Sequence, residues 1–448
     1  MFNWRREIKR FAPEFEVYTH HGQDRIKDLD AVKKFSQNHL IILTTYGTVR
    51  NDISLLETIT FAGIVLDESQ NIKNYQALKT KAVFKLKSQF RIALSGTPIE
   101  NRLLELWTLF NFLNPGLLGQ RRVFQQKFVL FIERYHDEQK AAKLQQFIAP
   151  FILRRLKTDK SIIQDLPEKN EIKIYLELSP QQAQLYSQVV KNTMQELENL
   201  EETSIQRKGL ILRLLTFTKQ ICNHPAQFLY NPEQKIQILP KNAKSSFTST
   251  SNGENIQIPY PEFLHASPKI ERISEMIDEI LEEGDKLLIF TQFKQMGDML
   301  KDFLEMKYHI PIGWFHGGIP EGQRQKLVDS FQSTALDSIP ILILSLRAGG
   351  TGLNLTQAST VFHFDRWWNP SVEAQATDRA YRIGQKHTVN VYKFITTGTI
   401  EEKIDQMLEE KQDLAEQILS VKGETWITSL SNEELKELFS FSKSQGFF

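Results

Sequence analysis

Residues 341–385 read ILILSLRAGGTGLNLTQASTVFHFDRWWNPSVEAQATDRAYRIGQ. The apolar run from Ile341 to Leu344 ends in Ser345 and opens onto a loop carrying Gly349, Gly350 and Gly352. A second run, Val361 to Phe364, ends in Asp365 and leads through Arg366-Trp367-Trp368-Asn369-Pro370 into a segment presenting Gln375, Asp378, Arg379 and Arg382. Two parallel-type strands whose C-terminal ends carry glycines, a carboxylate and arginines form an edge suited to phosphates. Glycine lets backbone N–H groups approach an anion, and arginine offers it a planar fork of donors.

Working outward, strand-like runs recur at Leu287–Phe290, Ile312–Phe315 and Val389–Phe394, mostly separated by helical patterns. Towards the N-terminus a second set appears at Phe15–Tyr18, Leu40–Leu43, Ile64–Leu66 and Ile92–Leu94. Such alternation predicts α/β architecture with two parallel sheets covered by helices. From Leu103 to about Gln146, and again over 179–222, the spacing is helical, the first region broken at Asn114-Pro115-Gly116. Residues 241–258 are polar and aperiodic and are expected to be a surface loop. The acidic run Glu196–Glu202 is expected to be a solvated helix face.

The 448 residues carry a formal net charge of +1, so a nucleic-acid surface would have to be a local patch. A single cysteine, Cys222, excludes an internal disulfide and fits a reducing compartment. No second cysteine accompanies Cys222 and His224, and no HExxH occurs, so the sequence argues against a zinc site. No apolar run reaches transmembrane length, and the N-terminus lacks a signal-peptide core, so a soluble intracellular protein is expected.

The phrases DRWWNP and EAQATDRAYRIGQ resemble motifs V and VI of the Swi/Snf-related branch of the superfamily II helicases. Asp67-Glu68-Ser69-Gln70, Ser95-Gly96-Thr97, the stretch FILRRLK and Gln220-Ile221-Cys222-Asn223-His224-Pro225 resemble further family phrases, with serine at the third place of motif II a mild departure. The resemblance implies two RecA-like lobes with helical insertions, in a DNA-stimulated ATPase that translocates on double-stranded DNA and remodels protein–DNA complexes. Implied boundaries are a first lobe over 1–102, helical insertions and linker over 103–265, a second lobe over 266–405 and a helical brace over 406–448. ATP and Mg²⁺ are the implied ligands, bound between the lobes. The implied setting is a bacterial cytoplasm, associated with the nucleoid, with no membrane partner. The chain is expected to be a monomer or to be completed by a missing N-terminal segment.

Residue by residue, the resemblance makes Asp67 the magnesium partner through water and Glu68 the general base; an adjacent acid pair can divide those tasks. It makes Gln70, Gly350, Gly352 and Gln375 nucleotide contacts, and Ser95, Gly96 and Thr97 the coupling element. Arg379 and Arg382, three apart and so expected on one helix face, become arginine fingers; the bland alternative is surface pairing with Glu373 and Asp378. Thr45, Tyr46, Gln292, His316, Arg347 and Thr351 are the implied contacts to the DNA backbone, with Asn101 and Arg102 weaker additions. His316 reads equally well as an ordinary surface histidine. Trp367 and Trp368 are expected to pack under the motif VI segment rather than to stack on bases.

Motors of this class cradle phosphates with G-x-x-x-x-G-K-[ST], and no Gly-Lys dipeptide occurs anywhere in the chain. Asn3-Trp4-Arg5-Arg6-Glu7-Ile8 resembles the family segment that follows motif Ia, so the first lobe is expected to be truncated, with strand edges exposed. Three expectations follow: a motor fragment, a hydrolysis-deficient nucleic-acid-binding module, or a half-motor completed by a separate P-loop polypeptide. The retained residue types at 67, 68, 379 and 382 favour the first. This chain alone is expected to hydrolyse little ATP.

Overall fold

The computed structural model describes all residues except 1, 24, 29–39, 97–102, 136, 154, 156, 158–165, 202–203, 231–234, 240–247, 250–254, 336–337, 347–352, 369, 416–426, 429 and 442–448. The chain divides into two compact units, 1–154 with 413–422 and 155–412 with 423–448.

In the first unit, α1 (Phe2–Phe11) precedes β1 (Glu16–His20) and β2 (Leu40–Thr44), which pair in parallel. Helix α2 (Tyr46–Asn51) follows, capped by the Thr45 side chain. Strands β3 (Thr60–Leu66) and β4 (Lys87–Ala93) form a second parallel pair. The first three overlap the apolar runs of the sequence, while β4 begins five residues before the run read at Ile92–Leu94; among the described residues they form two pairs and not one sheet. Ile64, Leu66, Ala82, Val83, Leu86 and Phe112 pack together on one side of β3 and β4. On these strands Val65 and Phe90 are each 53% exposed and Ile92 45%. Helix α3 (Leu103–Leu113) presents the expected i, i+3, i+4 face, burying Leu103, Leu106, Trp107 and Phe110. It stops before Pro115, with Gly116 turning the chain at a φ of +87° that suits a residue without Cβ.

The second unit is built on a six-stranded, all-parallel sheet. Its strands are β5 (Lys169–Leu176), β9 (Leu287–Thr291), β10 (Ile312–Phe315), β11 (Ile341–Ser345), β12 (Thr360–His363) and β13 (Val389–Thr396), in the order β10-β11-β9-β12-β13-β5. Every residue of β9, β10 and β12 is buried, as expected where helices cover both faces and the strand reads as an unbroken apolar run. The outermost strand, β5, lies within the range read as insertion and linker, and pairs with β13 in the register Lys169↔Val389.

Helices α4 (Pro180–Glu198) and α5 (Ile205–Asn223) match the second helical region, and α4 carries a full capping box at Ser179 and Gln182. They pack with Trp368, Ile400, Ile404 and the C-terminal helix Asn432–Phe439. A small sheet, β6 (Lys235–Leu239), β7 (Thr248–Ser249) and β8 (Asn255–Pro259), corrects the loop reading of 241–258. Ile256 and Ile258 alternate inward there, a pattern too short to stand out among polar neighbours; 241–247 and 250–254 lie outside the described residues. Helices α6 (Pro268–Glu282) and α7 (Lys294–Tyr308) then bury Ile270, Ile273, Ile277 and Ile280 of the one and Leu300 and Phe303 of the other against the main sheet. Among the described residues no helix is long and apolar enough to cross a membrane.

Candidate functional site

The first-unit site sits at the ends of β3 and β4. Leu94 N–H donates to Leu66 O at 2.7 Å and Ser69 N–H to Leu94 O at 2.9 Å, so the two strand ends are laced together. Asp67 is exposed at this edge, and Glu68 turns into the left-handed region at φ +48°. For a residue with a side chain that conformation costs about 1 kcal/mol or more. It lets Gln70 Nε2 donate to Glu68 Oε2 at 2.7 Å, while Ser95 Oγ donates to Gln70 Oε1 at 3.1 Å. The side chains of Glu68, Gln70 and Ser95 thus form one hydrogen-bonded chain across two strand ends. Ser69, the departure from the usual motif, is buried, where a small residue fits.

Asp67 Oδ1 accepts the Glu68 N–H at 3.0 Å and Oδ2 accepts Trp4 Nε1–H at 2.8 Å. A carboxylate has about four lone-pair sites, so it keeps acceptor capacity for metal-bound water. Among the described residues no group of three or more His, Cys, Asp or Glu could hold a metal directly. A single carboxylate with acceptor sites to spare is a donor set that would suit an ion held through its own water.

Thr45 Oγ1 accepts Thr48 N–H at 3.1 Å and so caps α2. Tyr46 donates its hydroxyl to Asp67 O at 2.7 Å. Burial, and after it the charges of Asp67 and Glu68, push the Tyr46 hydroxyl pKa up, so it stays a donor. Gly96 is exposed; Thr97, Asn101 and Arg102 lie outside the described residues.

In the second unit Asp365, buried after β12, organises the strand ends. Its Oδ1 accepts Gln292 N–H at 3.0 Å, and its Oδ2 accepts Thr291 Oγ1–H at 2.6 Å and Asn223 Nδ2–H at 3.3 Å. Burial raises the Asp365 pKa, opposed by the Thr291 hydroxyl, the charge of Lys269 and the Gln292 N–H. Arg366 is buried with Glu373 and Asp405 as ion-pair partners, and Lys219 Nζ donates to Arg366 O at 3.0 Å. Lys219 also lies 5.7 Å from the Trp367 ring and 4.9 Å from that of Trp368. Trp368 is buried and Trp367 packs against a core cluster, as the packing reading requires.

The arginine segment differs from the expected helix. Helix α8 (Pro370–Thr377) ends before Asp378, and the chain continues in tight turns to Gly384 at φ +100°. Arg379 and Arg382 therefore do not share a helix face; spacing alone cannot show where a helix stops when Gly384 lies several residues on. Arg379 is buried, whereas Arg382 is half-buried with Nη1 donating to Leu353 O at 3.1 Å. Glu373 is held by Arg366, and Asp378 by Lys157 at 2.8 Å. Lys157 also donates to Tyr381 O at 3.0 Å. The sequence reading missed this lysine. Gln375, on α8, is half-buried.

His316 Nδ1 accepts Gly318 N–H at 3.1 Å, and Arg324 Nη2 donates to Gly317 O at 2.5 Å, so this turn is preformed. Burial, then the Lys294 charge, lower the His316 pKa, with Arg324 adding to the effect. Arg347, Gly350, Thr351 and Gly352 lie outside the described residues.

Comparison with known proteins matches residues 1–227 to the SNF2-related domain and 268–384 to the helicase conserved C-terminal domain. The putative ATP-dependent helicase/translocase YwqA of Bacillus subtilis is 46% identical over 440 residues, covering 98% of this chain and 44% of that protein. Human TATA-binding protein-associated factor 172 is 34% identical over 486 residues, covering 98% of this chain and 25% of that protein. A solved structure of the Sulfolobus solfataricus SWI2/SNF2 ATPase core in complex with dsDNA is 40% identical, with a TM-score of 0.49, covering 99% of this chain and 85% of that one. The chain thus spans less than half the length of these curated relatives. With 1–227, just over half of the 448 residues, matched to the SNF2-related domain, the chain belongs to the SNF2-related family.

Proposed function

We propose that this chain works within a DNA-stimulated ATPase that moves on double-stranded DNA and remodels protein–DNA complexes. The observation that carries this reading is the hydrogen-bonded chain from Ser95 through Gln70 to Glu68. A base that activates water must be held against rotation, and Gln70 holds the Glu68 carboxylate at Oε2. Ser95 in turn fixes the Gln70 amide, so a change at the end of β4 alters the base. Asp67 would hold Mg²⁺ through water, and the metal would supply charge neutralisation on the phosphates. Arg379 and Arg382 would add positive charge at the transferred phosphoryl group.

A second reading, a nucleic-acid-binding module without hydrolysis, is favoured by the lack of any Gly-Lys dipeptide. ATP hydrolysis by the purified chain, with and without duplex DNA and with Glu68→Gln as the blank, separates the two. The chain alone should stay close to the blank. Supplying a polypeptide with the G-x-x-x-x-G-K-[ST] segment should restore DNA-stimulated turnover, which Glu68→Gln should lower by about 10²-fold or more. Failure of that addition to restore turnover, with DNA binding intact, leaves the binding module. Strong hydrolysis by the chain alone would overturn this account of phosphate binding.

Duplex contact is proposed at Thr45 and, in the second unit, at Gln292 and the His316 turn, where Lys294 and Arg324 supply charge. Two such phosphate contacts predict a slope of about −1.8 in log affinity against log salt, or roughly twelvefold weaker binding at 200 mM than at 50 mM. Affinity that does not change with salt, measured by fluorescence anisotropy, would remove the phosphate assignment.

A further inference from the structure

We propose that Trp4 is a positioning residue for the Asp67 carboxylate. The inference rests on the reading of Asp67 as the magnesium partner. Trp4 lies in the first turn of α1, one turn before the buried Ile8, so the helix is anchored on the same face. Its indole N–H, a donor only, reaches Asp67 Oδ2 at 2.8 Å across 63 residues of sequence. The other carboxylate bond, from the Glu68 N–H to Oδ1, is local and leaves the plane of the group poorly fixed on its own. Trp4 adds a charge-assisted bond from a separate element, and Tyr46 holds the carbonyl of the same residue at 2.7 Å. Asp67 is thereby gripped at both its ends by aromatic side chains, with its remaining lone pairs directed to solvent.

The test uses the full chain, Mn²⁺ as the probe and Trp4→Phe, which keeps the ring and removes the donor. Free Mn²⁺ is followed by electron paramagnetic resonance, and the six tryptophan indole N–H signals by nuclear magnetic resonance. The signal absent from Trp4→Phe should be broadened selectively by Mn²⁺, and Asp67→Asn should remove that broadening. Trp4→Phe should weaken Mn²⁺ binding about tenfold, the lower end of the size expected for losing one charge-assisted bond. If Asp67→Asn abolishes binding while Trp4→Phe binds as tightly as the unaltered chain, the role of Trp4 is overturned and the reading of Asp67 stands. If Asp67→Asn leaves binding unchanged, the metal reading fails and the inference falls with it. Should Trp4→Phe lower the thermal midpoint, the unaltered chain decides alone: a Trp4 signal untouched by Mn²⁺ overturns the proposal.

Discussion

Replacing Lys269 by methionine is expected to destabilise the second unit by about 3–5 kcal/mol. Lys269 Nζ lies 2.8 and 2.7 Å from the two carboxylate oxygens of Glu401, with both side chains almost wholly buried. It also donates to Phe364 O at 3.2 Å, and Glu401 accepts the Thr396 N–H at 3.0 Å. Methionine matches the length of lysine but leaves Glu401 charged, buried and without its cation. The penalty is that of an uncompensated charge, not of lost packing. The double variant Lys269→Met/Glu401→Gln should therefore recover much of the loss. Denaturant unfolding gives both numbers. A single-variant loss below about 1 kcal/mol would mean that water reaches the pair and that the buried reading is wrong.

Between pH 7 and pH 5 the second unit should lose about 4 kcal/mol of stability, chiefly through His224 and His363. Burial lowers the pKa of each to about 4. His224 Nδ1 accepts the Ala226 N–H at 3.0 Å while Nε2 faces Phe263 O at 2.9 Å, so Nε2 carries the proton and Nδ1 must stay bare. His363 stacks on Phe290 with ring centroids 5.5 Å apart. The sign follows from which state binds the proton. Above the unfolded value of about 6.5 both states are neutral; as pH falls from there to about 4, only the unfolded chain gains the proton. Stability is therefore lost progressively across that window. Asp365 acts in the opposite sense, because its raised pKa lets the folded protein keep a proton that the unfolded chain releases. Single His224→Gln and His363→Gln variants should each show about half the loss between pH 7 and pH 5. A flat profile in the unaltered protein would contradict neutral buried histidines.

These two networks show where reading the sequence stops. The strands at Leu287–Thr291, Ile312–Phe315 and Ile341–Ser345 were readable because strands buried on both faces are nearly unbroken apolar runs. The placing of Glu68, Gln70 and Ser95 at strand ends was readable because a polar phrase begins where each short apolar run stops, although those two strands are not buried on both faces. What could not be read is which distant polar groups meet. Lys269 and Glu401 are 132 residues apart, and Trp4 and Asp67 are 63 apart; neither distance leaves a periodic signal. The end of α8 at Thr377 was hidden because Asp378 to Arg382 contains no proline or glycine to mark the stop.

The pairing of β5 with β13 has a consequence for how this chain is made. Lys169 meets Val389 across 220 residues, so this edge strand is synthesised long before the strand it pairs with. At about 5–20 residues per second that interval is roughly 10–45 s. Throughout it β5 is an open edge able to pair with other nascent chains. Its own residues guard against this: Lys169, Glu171 and Lys173 place three charges in the first five positions of the strand. In the finished protein Lys393 Nζ meets Glu171 at 2.6 Å and Asp405 meets Lys173 at 2.7 Å. The charges that keep strangers off the growing edge become, once residue 405 has been made, the ion pairs that fasten it.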